Sequence, residues 1–572
     1  MLKDLLIALS MANLWFIDVW KLFLVSHSTA YPYYHWKLNP APLLIATILD
    51  VLLLAAILFL SITVVRRSRK TSLLTAARLI FAIVFVLLML NLVLIAARNP
   101  PLGPLVRTLT QQPGLLFEWR GTTTIYFWLA VIGLGLGCLG ITVMIHSLIY
   151  RRRQLIKVSA TICLILSPFA FMTLAQAALQ WLNFRSGEQF REPSKAEVLP
   201  QTSSRRVLWL VFDEFDFKLS FLERPATLEL PEFDRLRKES IFASNSYPPA
   251  GDTEISLPAM ITGRLISRVN RIAPNELELT FADNNQSLLW SKAPNVFSKA
   301  RAMNANSGLA GWYHPYCRVI EGSLNRCSWE TTSLLLLPNS ELVDLIAHST
   351  KISLPRSMAR VAGSLLLPET FRVWSPRDPT DYRRYYTYEF DVIHQEAVAM
   401  ASDPNLQLIF VHYPIPHPPG IYERTSKRFS LNSISGYLDN LALADHVLGE
   451  LRRNMVEAGV WENTTVLISS DHSLRADRIW RSHPFWEPQF TKEDPLALNS
   501  ASDERVPFIV KLAGNSEGIT YDPALNTVLS QDLILAILSG EVSNAADVKE
   551  WLDRHRSIGE SPYKEGEKQF TN

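Results

Sequence analysis

The chain has 572 residues, 48% of them hydrophobic, which is long enough for more than one folding unit. Its 56 basic and 54 acidic side chains nearly cancel, so the charge balance gives no reason to expect nucleic acid as a partner. The mean hydropathy of +0.10 is high for a soluble chain and low for a purely membranous one. The apolar surplus lies before residue 182, so a membrane part is expected to be joined to a soluble part.

Five apolar stretches come first, at about 5–25, 43–65, 79–97, 125–150 and 158–182. Each is near the ~20 residues a helix needs to cross a bilayer. The first is the weakest, because Asp18 and Lys21 interrupt it, and it lacks the cleavage site of a signal peptide. The basic clusters Arg66-Arg67-Ser68-Arg69-Lys70 and Arg151-Arg152-Arg153 end the second and fourth stretches. Basic clusters stay cytoplasmic. Five spans then put the N-terminus inside and everything after residue 182 outside. Arg98, Arg107 and Arg120 oppose this rule weakly, being scattered in the outer loop. Asp50, inside the second stretch, reads as a polar contact within a helix bundle. Cys138 and Cys163 read as packed thiols, and the external Cys317 and Cys327 as a disulfide.

Residues 183–205 are polar and read as a linker. After it, the apolar runs 207–212, 406–412, 465–469 and 506–512 predict strands, and 436–458 and 530–538 predict helices. Near-continuous apolar strands separated by helices predict an α/β domain over 206–540 with a largely parallel sheet. A C-terminal helix and polar tail are expected over 541–572.

In such sheets, ligands gather beyond the carboxyl ends of the strands. Asp213 closes the first strand run, His412 the second, and Asp471-His472 follow the third. Carboxylates and imidazole at neighbouring strand ends suit a divalent cation such as zinc or manganese. A hydroxyl beside that cation loses its proton more readily. Thr253, on a glycine-containing loop, is the candidate nucleophile. Asp445, within the 436–458 helix, is explained as well by capping or packing as by function. Asn463-Thr464-Thr465 matches a glycosylation sequon, read as incidental.

The ordered set Asp213, Thr253, Asp471-His472 and Arg505-Val506-Pro507 resembles the sulfatase-type domain of the alkaline phosphatase superfamily. Thr262-Gly263-Arg264 matches the close of the sulfatase nucleophile motif, and Thr253 falls where sulfatases carry the cysteine that becomes formylglycine. Ile255 and Leu257 replace the proline and arginine of that motif. Gly311-Trp312-Tyr313-His314 is similar to the sulfatase Gly-Lys-Trp-His run, with Trp312 at the position of the sulfate-holding lysine. These departures count against sulfate esters.

The layout resembles more closely the five-span phosphoethanolamine transferases and lipoteichoic acid synthases, which use a threonine nucleophile. The run from Thr253 to Pro258 is similar to the transferase motif, and His412-Tyr413-Pro414-Ile415-Pro416-His417 to its two-histidine segment. Ser473-Leu474 stand where those enzymes carry Gly-Glu, and Asp213 where they carry glutamate, with Glu214 adjacent. The resemblance implies a metal held by Asp213, Thr253, Asp471 and His472, and His417 as acid or base. It implies substrate contacts from His314, His412 and His483. The implied partners are a membrane phospholipid donor and an envelope lipid or glycan acceptor. The rivals are a phosphate- or sulfate-ester hydrolase of the same superfamily and a non-catalytic lipid sensor.

Overall fold

A computed structural model describes residues 1–17, 20, 24, 34–37, 39–67, 152–192, 195–200, 204–320, 322–331, 379–431, 435–475, 493–494, 503–515 and 517–555. The contacts divide the chain into two compact units. One comprises Met1–Ser26, Pro40–Ser186 and Leu337–Asp378, the other His27–Asn39, Gly187–Leu336 and Pro379–Asn572.

In the first unit, the helix Ala41–Arg67 contains the one described segment, Leu44–Arg67, long and apolar enough to cross a membrane. The helices Arg152–Ile165 and Ser167–Phe184 meet at a 41° bend, where Pro168 removes a backbone donor, and together they could make a second span. The helix Leu2–Trp15 is only 14 residues long, and the stretches 79–97 and 125–150 lie outside the described residues. Five spans are therefore not established. Asp4 pairs with Arg66 at 2.7 Å, Asn13 accepts from Thr173 at 2.8 Å, and Asp50 is buried and engaged in polar contact.

The second unit is built on an eight-stranded sheet. Its strands are β1 (Arg206–Asp213), β2 (Ile241–Ala243), β3 (Ser307–Trp312) and β4 (Arg326–Glu330). The others are β5 (Leu408–Pro416), β6 (Thr464–Ser470), β7 (Phe508–Lys511) and β8 (Ile519–Tyr521). The order is β8-β2-β7-β6-β1-β5-β3-β4. All neighbours are parallel except those of β7, which runs antiparallel to both β6 and β2. The largely parallel sheet predicted from the sequence is thus present, with one strand reversed.

β1 explains why its sequence is an unbroken apolar run. Val207, Trp209 and Val211 enter one core, and Leu208, Leu210 and Phe212 the other, so both sheet faces are covered. The predicted linker is partly built in: Ala196 N donates to Leu324 O at 2.8 Å, and Leu199 N to Asn306 Oδ1 at 2.9 Å. The C-terminal helix Ala545–His555 buries Val548, Trp551 and Leu552, while 556–572 lie outside the described residues. Cys317 and Cys327 form a disulfide with Cα atoms 5.7 Å apart, and Cys163 is a buried free thiol. Asp445 accepts from Phe233 N at 2.9 Å, capping the helix Pro231–Lys238. That is a structural role.

Arg206 clamps the amino ends of the three central strands. Its buried guanidinium donates to the carbonyls of Leu406, Met400, Ala401 and Asp403 and to Thr464 Oγ1, at 2.6–3.1 Å. Met400 and Ala401 end the helix Pro379–Ala401, so the cation also sits at the negative end of a helix. Arg206→Met is expected to leave several buried carbonyls without donors and to cost about 3 kcal/mol. A Tm within a degree of wild type in a thermal melt of the full-length variant would contradict this clamp.

Candidate metal centre and nucleophile

The sheet order brings the site together. β6, β1 and β5 are adjacent and parallel, with Val211 opposite His412 and Phe212 opposite Ser470. Their carboxyl ends therefore deliver Asp213, His412 and Asp471 to one edge. One donor atom of each lies within 4.8 Å of the others, and all three residues are fully buried. His472 Nε2 lies 3.5 Å from Asp213 Oδ1 and 3.4 Å from Asp471 Oδ2.

The hydrogen-bond inventory shows what this cage lacks. Both carboxylate oxygens of Asp213, Oδ2 of Asp471 and Nε2 of His412 are buried without a hydrogen-bond partner. Buried polar atoms are normally satisfied, and four orphans converging on one spot point to an absent ligand. Each imidazole presents its lone pair there. His412 Nδ1 donates to Trp312 O at 2.9 Å, and His472 Nδ1 to Ser473 O at 2.9 Å. Because a carbonyl only accepts, the proton sits on Nδ1 and Nε2 is left basic, the arrangement of a metal-ligating histidine.

The electrostatics agree. Burial, then the neighbouring Asp471 and Glu214, raise the Asp213 pKa well above the usual carboxylate range. Burial also raises that of Asp471. Burial pushes His412 down to about 3 and His472 well below its ordinary value, so both rings are neutral. Two crowded carboxylates with neutral imidazoles make a cage whose net charge a divalent cation would offset. The donors fit a metal such as zinc or manganese. Thr253, counted by resemblance among the ligands, lies beside this set with Oγ1 3.2 Å from His472 Nε2.

Thr253 opens the helix Thr253–Thr262. Asp252 caps it by accepting from Ile255 N at 3.0 Å. Thr253 thus stands at the positive end of a helix, where negative charge is favoured. The Thr-Gly-Arg close of the motif also has a local reason. Gly263 ends the helix at φ 67°, and a Cβ there would stand 2.2 Å from Gln531 Nε2. Arg264 then pairs with Asp283 at 2.6 Å and lies over the Phe281 ring.

The remaining sequence-predicted residues divide. His417 is half-buried at the turn after β5; its N–H donates to Asp213 O at 3.0 Å and its Nδ1 to Pro418 O at 2.5 Å. Burial, then Arg475, lowers its pKa to about 3. His412, expected to contact substrate, instead faces the cage as a donor. His314 also departs from that expectation: Nε2 donates to Thr253 O at 3.2 Å and Nδ1 accepts from Tyr34 at 3.0 Å, so both nitrogens are committed. It thereby fixes the Thr253 carbonyl. His483 lies outside the described residues.

Sequence reading missed Arg475, three positions beyond His472. Its Nε donates to Glu214 Oε1 at 2.5 Å, while Glu214 N donates to Asp471 Oδ1 at 3.2 Å. Glu214 therefore serves as a brace rather than as the alternative ligand. It holds φ at 64°, a left-handed backbone uncommon for a glutamate, and Tyr437 Oη donates to its carbonyl at 2.6 Å. No spacing rule foretells an arginine there.

The Sulfatase family model matches residues 367–539. The matched span holds His412, His417 and Asp471-His472, whereas Asp213 and Thr253 precede it. No curated protein matches the chain. Among solved structures, it is similar to the PsFucS1 sulfatase from Pseudoalteromonas sp., at 16% identity and TM-score 0.37, covering 63% of this chain and 71% of that one. It is similar to the phosphonate monoester hydrolase of Agrobacterium radiobacter at 11% identity and TM-score 0.33, covering 60% and 78%. A murine ectonucleotide pyrophosphatase/phosphodiesterase 5 shares 13% identity at TM-score 0.33, covering 60% and 99%.

The raised carboxylate pKa values set a pH dependence. An acid whose folded pKa exceeds its unfolded value favours the fold at low pH, and that contribution is lost as pH rises through the folded value. For Asp471 this window runs from 3.8 to about 7. Chelator-stripped full-length protein should therefore melt at lower temperature at pH 8 than at pH 5. Added zinc or manganese should raise Tm most at pH 8, and Asp213→Asn should abolish that rise. A cation-independent Tm across this range would rule out the cage as a metal site.

Proposed function

We propose that this protein is a membrane-anchored transferase that moves a phospholipid headgroup through Thr253 to an envelope lipid or glycan. The observation carrying this reading is Thr253 Oγ1, 3.2 Å from a basic histidine nitrogen at the rim of a buried carboxylate cage. A threonine there, with Trp312 where a sulfatase holds its lysine, favours phosphoryl over sulfuryl transfer. Five spans, with the sulfatase domain outside the inner membrane, would keep the site beside a lipid donor.

Thr253 Oγ1 attacks phosphorus as its proton passes to His472 Nε2, the bond to the diacylglycerol oxygen breaks and that oxygen takes up the proton, and the threonine carries the phosphoryl headgroup. A divalent cation, zinc or manganese, held by Asp213, His412 and Asp471 would lower the hydroxyl pKa and offset charge on the phosphoryl oxygens. His472 Nε2 orients the Thr253 hydroxyl. The helix N-terminus favours the developing charge. In the second half, an acceptor hydroxyl displaces Thr253. His417, at the turn after β5 with its N–H on Asp213 O, is the candidate to take the acceptor's proton, and Thr253 Oγ1 regains a proton as it leaves.

Full-length protein incubated with phosphatidylethanolamine vesicles and zinc or manganese should gain a phosphoethanolamine-sized mass on Thr253. Thr253→Ala should show none, and Asp213→Asn should lower the rate of adduct formation at least ~10³-fold. Turnover of a phosphodiester or sulfate ester without any adduct passed to an acceptor would favour a hydrolase. Neither cation binding nor turnover would favour a lipid sensor.

A further inference from the structure

Residues 34–37 fall, in sequence, between the helices Leu2–Trp15 and Ala41–Arg67, yet their contacts are with the catalytic unit. Tyr34 is fully buried in the core that also holds Trp290, Tyr316 and Leu257. His35 Nδ1 donates to Tyr313 O at 2.9 Å. Arg318 donates to Trp36 O at 2.7 Å and also to Lys37 O, and Lys37 pairs with Glu330. Four consecutive residues are thus engaged by a unit whose next residue in sequence is about 150 positions on, at Gly187.

The Tyr34 bond leads to the nucleophile. Thr253 O can only accept, so His314 Nε2 carries the proton, Nδ1 carries the lone pair, and the Tyr34 hydroxyl is the donor. Burial holds the Tyr34 pKa well above its ordinary value, which keeps that donor proton in place. A second contact reaches the same turn. Arg271 lies 5.9 Å from the Tyr34 ring and pairs with Glu254, the residue after Thr253, at 2.5 Å.

We infer that Tyr34 is a positioning residue for Thr253, acting through His314, so that the segment before the Ala41–Arg67 helix is part of the active site. The hydroxyl selects the His314 tautomer that grips the nucleophile's own carbonyl. Thr253 then meets His472 with its backbone fixed from behind and its side chain held in front. Removing residues 34–37 would strip partners from His314, Arg318 and Glu330, all of them buried.

The test uses full-length Tyr34→Phe, which keeps the ring and deletes only the donor. Two readouts are taken: turnover of phosphatidylethanolamine vesicles, and amide exchange over 253–257 in the zinc-loaded protein. The expected result is a kcat lowered about fivefold with KM and Tm unchanged, and faster exchange in that turn. The effects of Tyr34→Phe and His314→Gln should also be less than additive when combined. Wild-type kcat and exchange in Tyr34→Phe would overturn the inference. So would a loss of activity that merely tracks a lowered Tm. The kcat readout rests on Thr253 as nucleophile, whereas exchange does not. Absence of wild-type turnover would therefore sink the proposed reaction and leave exchange to decide the role of Tyr34.

Discussion

Two carboxylates, Asp213 and Asp471, are buried beside one another with oxygens that no donor reaches. That juxtaposition is the constraint on which the site depends. Neither can ionise cheaply without a compensating cation, and proteins do not normally bury such a pair without one. The imidazoles nearby do not compensate, because burial keeps them neutral. Arg475 is the only cation that an ion pair of the described residues ties to this edge, and its Nε is committed to Glu214. The cage therefore suits a divalent ion, and Thr253 lies beside it with Oγ1 3.2 Å from His472 Nε2.

The fold supplies this constraint from the far end of the sheet. Parallel strands carry the carboxylates and His412 to one edge only if their starts are aligned. Arg206 aligns them, gathering carbonyls from the helix end and from the approach to β5, together with Thr464 of β6. A buried guanidinium is costly unless its donors are used, and here at least five acceptors use them. A shift of one residue in β5 against β1 would turn His412 to the opposite face and put a core residue in the cage. The register of the strands therefore sets the geometry of the cage.

How much of this was legible in the sequence follows from how local each signal is. Asp213 and Asp471 could be found because each ends an apolar run, and strand ends are where α/β sheets present side chains. Thr253 could be found because its turn and the Gly263 cap lie within a dozen residues. His412 was located but misjudged, since its tautomer is set by Trp312 O, 100 residues away. His314 was misjudged for the same reason, its second partner being Tyr34, 280 residues distant. The reversed direction of β7 was not legible, because a strand buried on both faces has no pattern that encodes polarity. Glu214 shows a related limit. Its adjacency to Asp213 made it a possible ligand, and only its left-handed backbone and bond to Arg475 reveal a brace.

Thr253, the proposed nucleophile, shows how these parts combine. A threonine hydroxyl is a poor nucleophile at its ordinary pKa, and positioning alone leaves it protonated. Helix dipole, histidine lone pair and cation site each act on a different part of the residue. The dipole acts along the backbone from Thr253 onward, His472 on the hydroxyl, and His314 on the carbonyl. A side chain with one rotatable bond, its hydroxyl beside His472 and its carbonyl bonded to His314, has little conformational freedom left to lose. That explains why so much of the local structure is spent on orienting one residue. It also explains why a β-branched residue suits a site whose geometry is fixed by groups drawn from four distant parts of the chain.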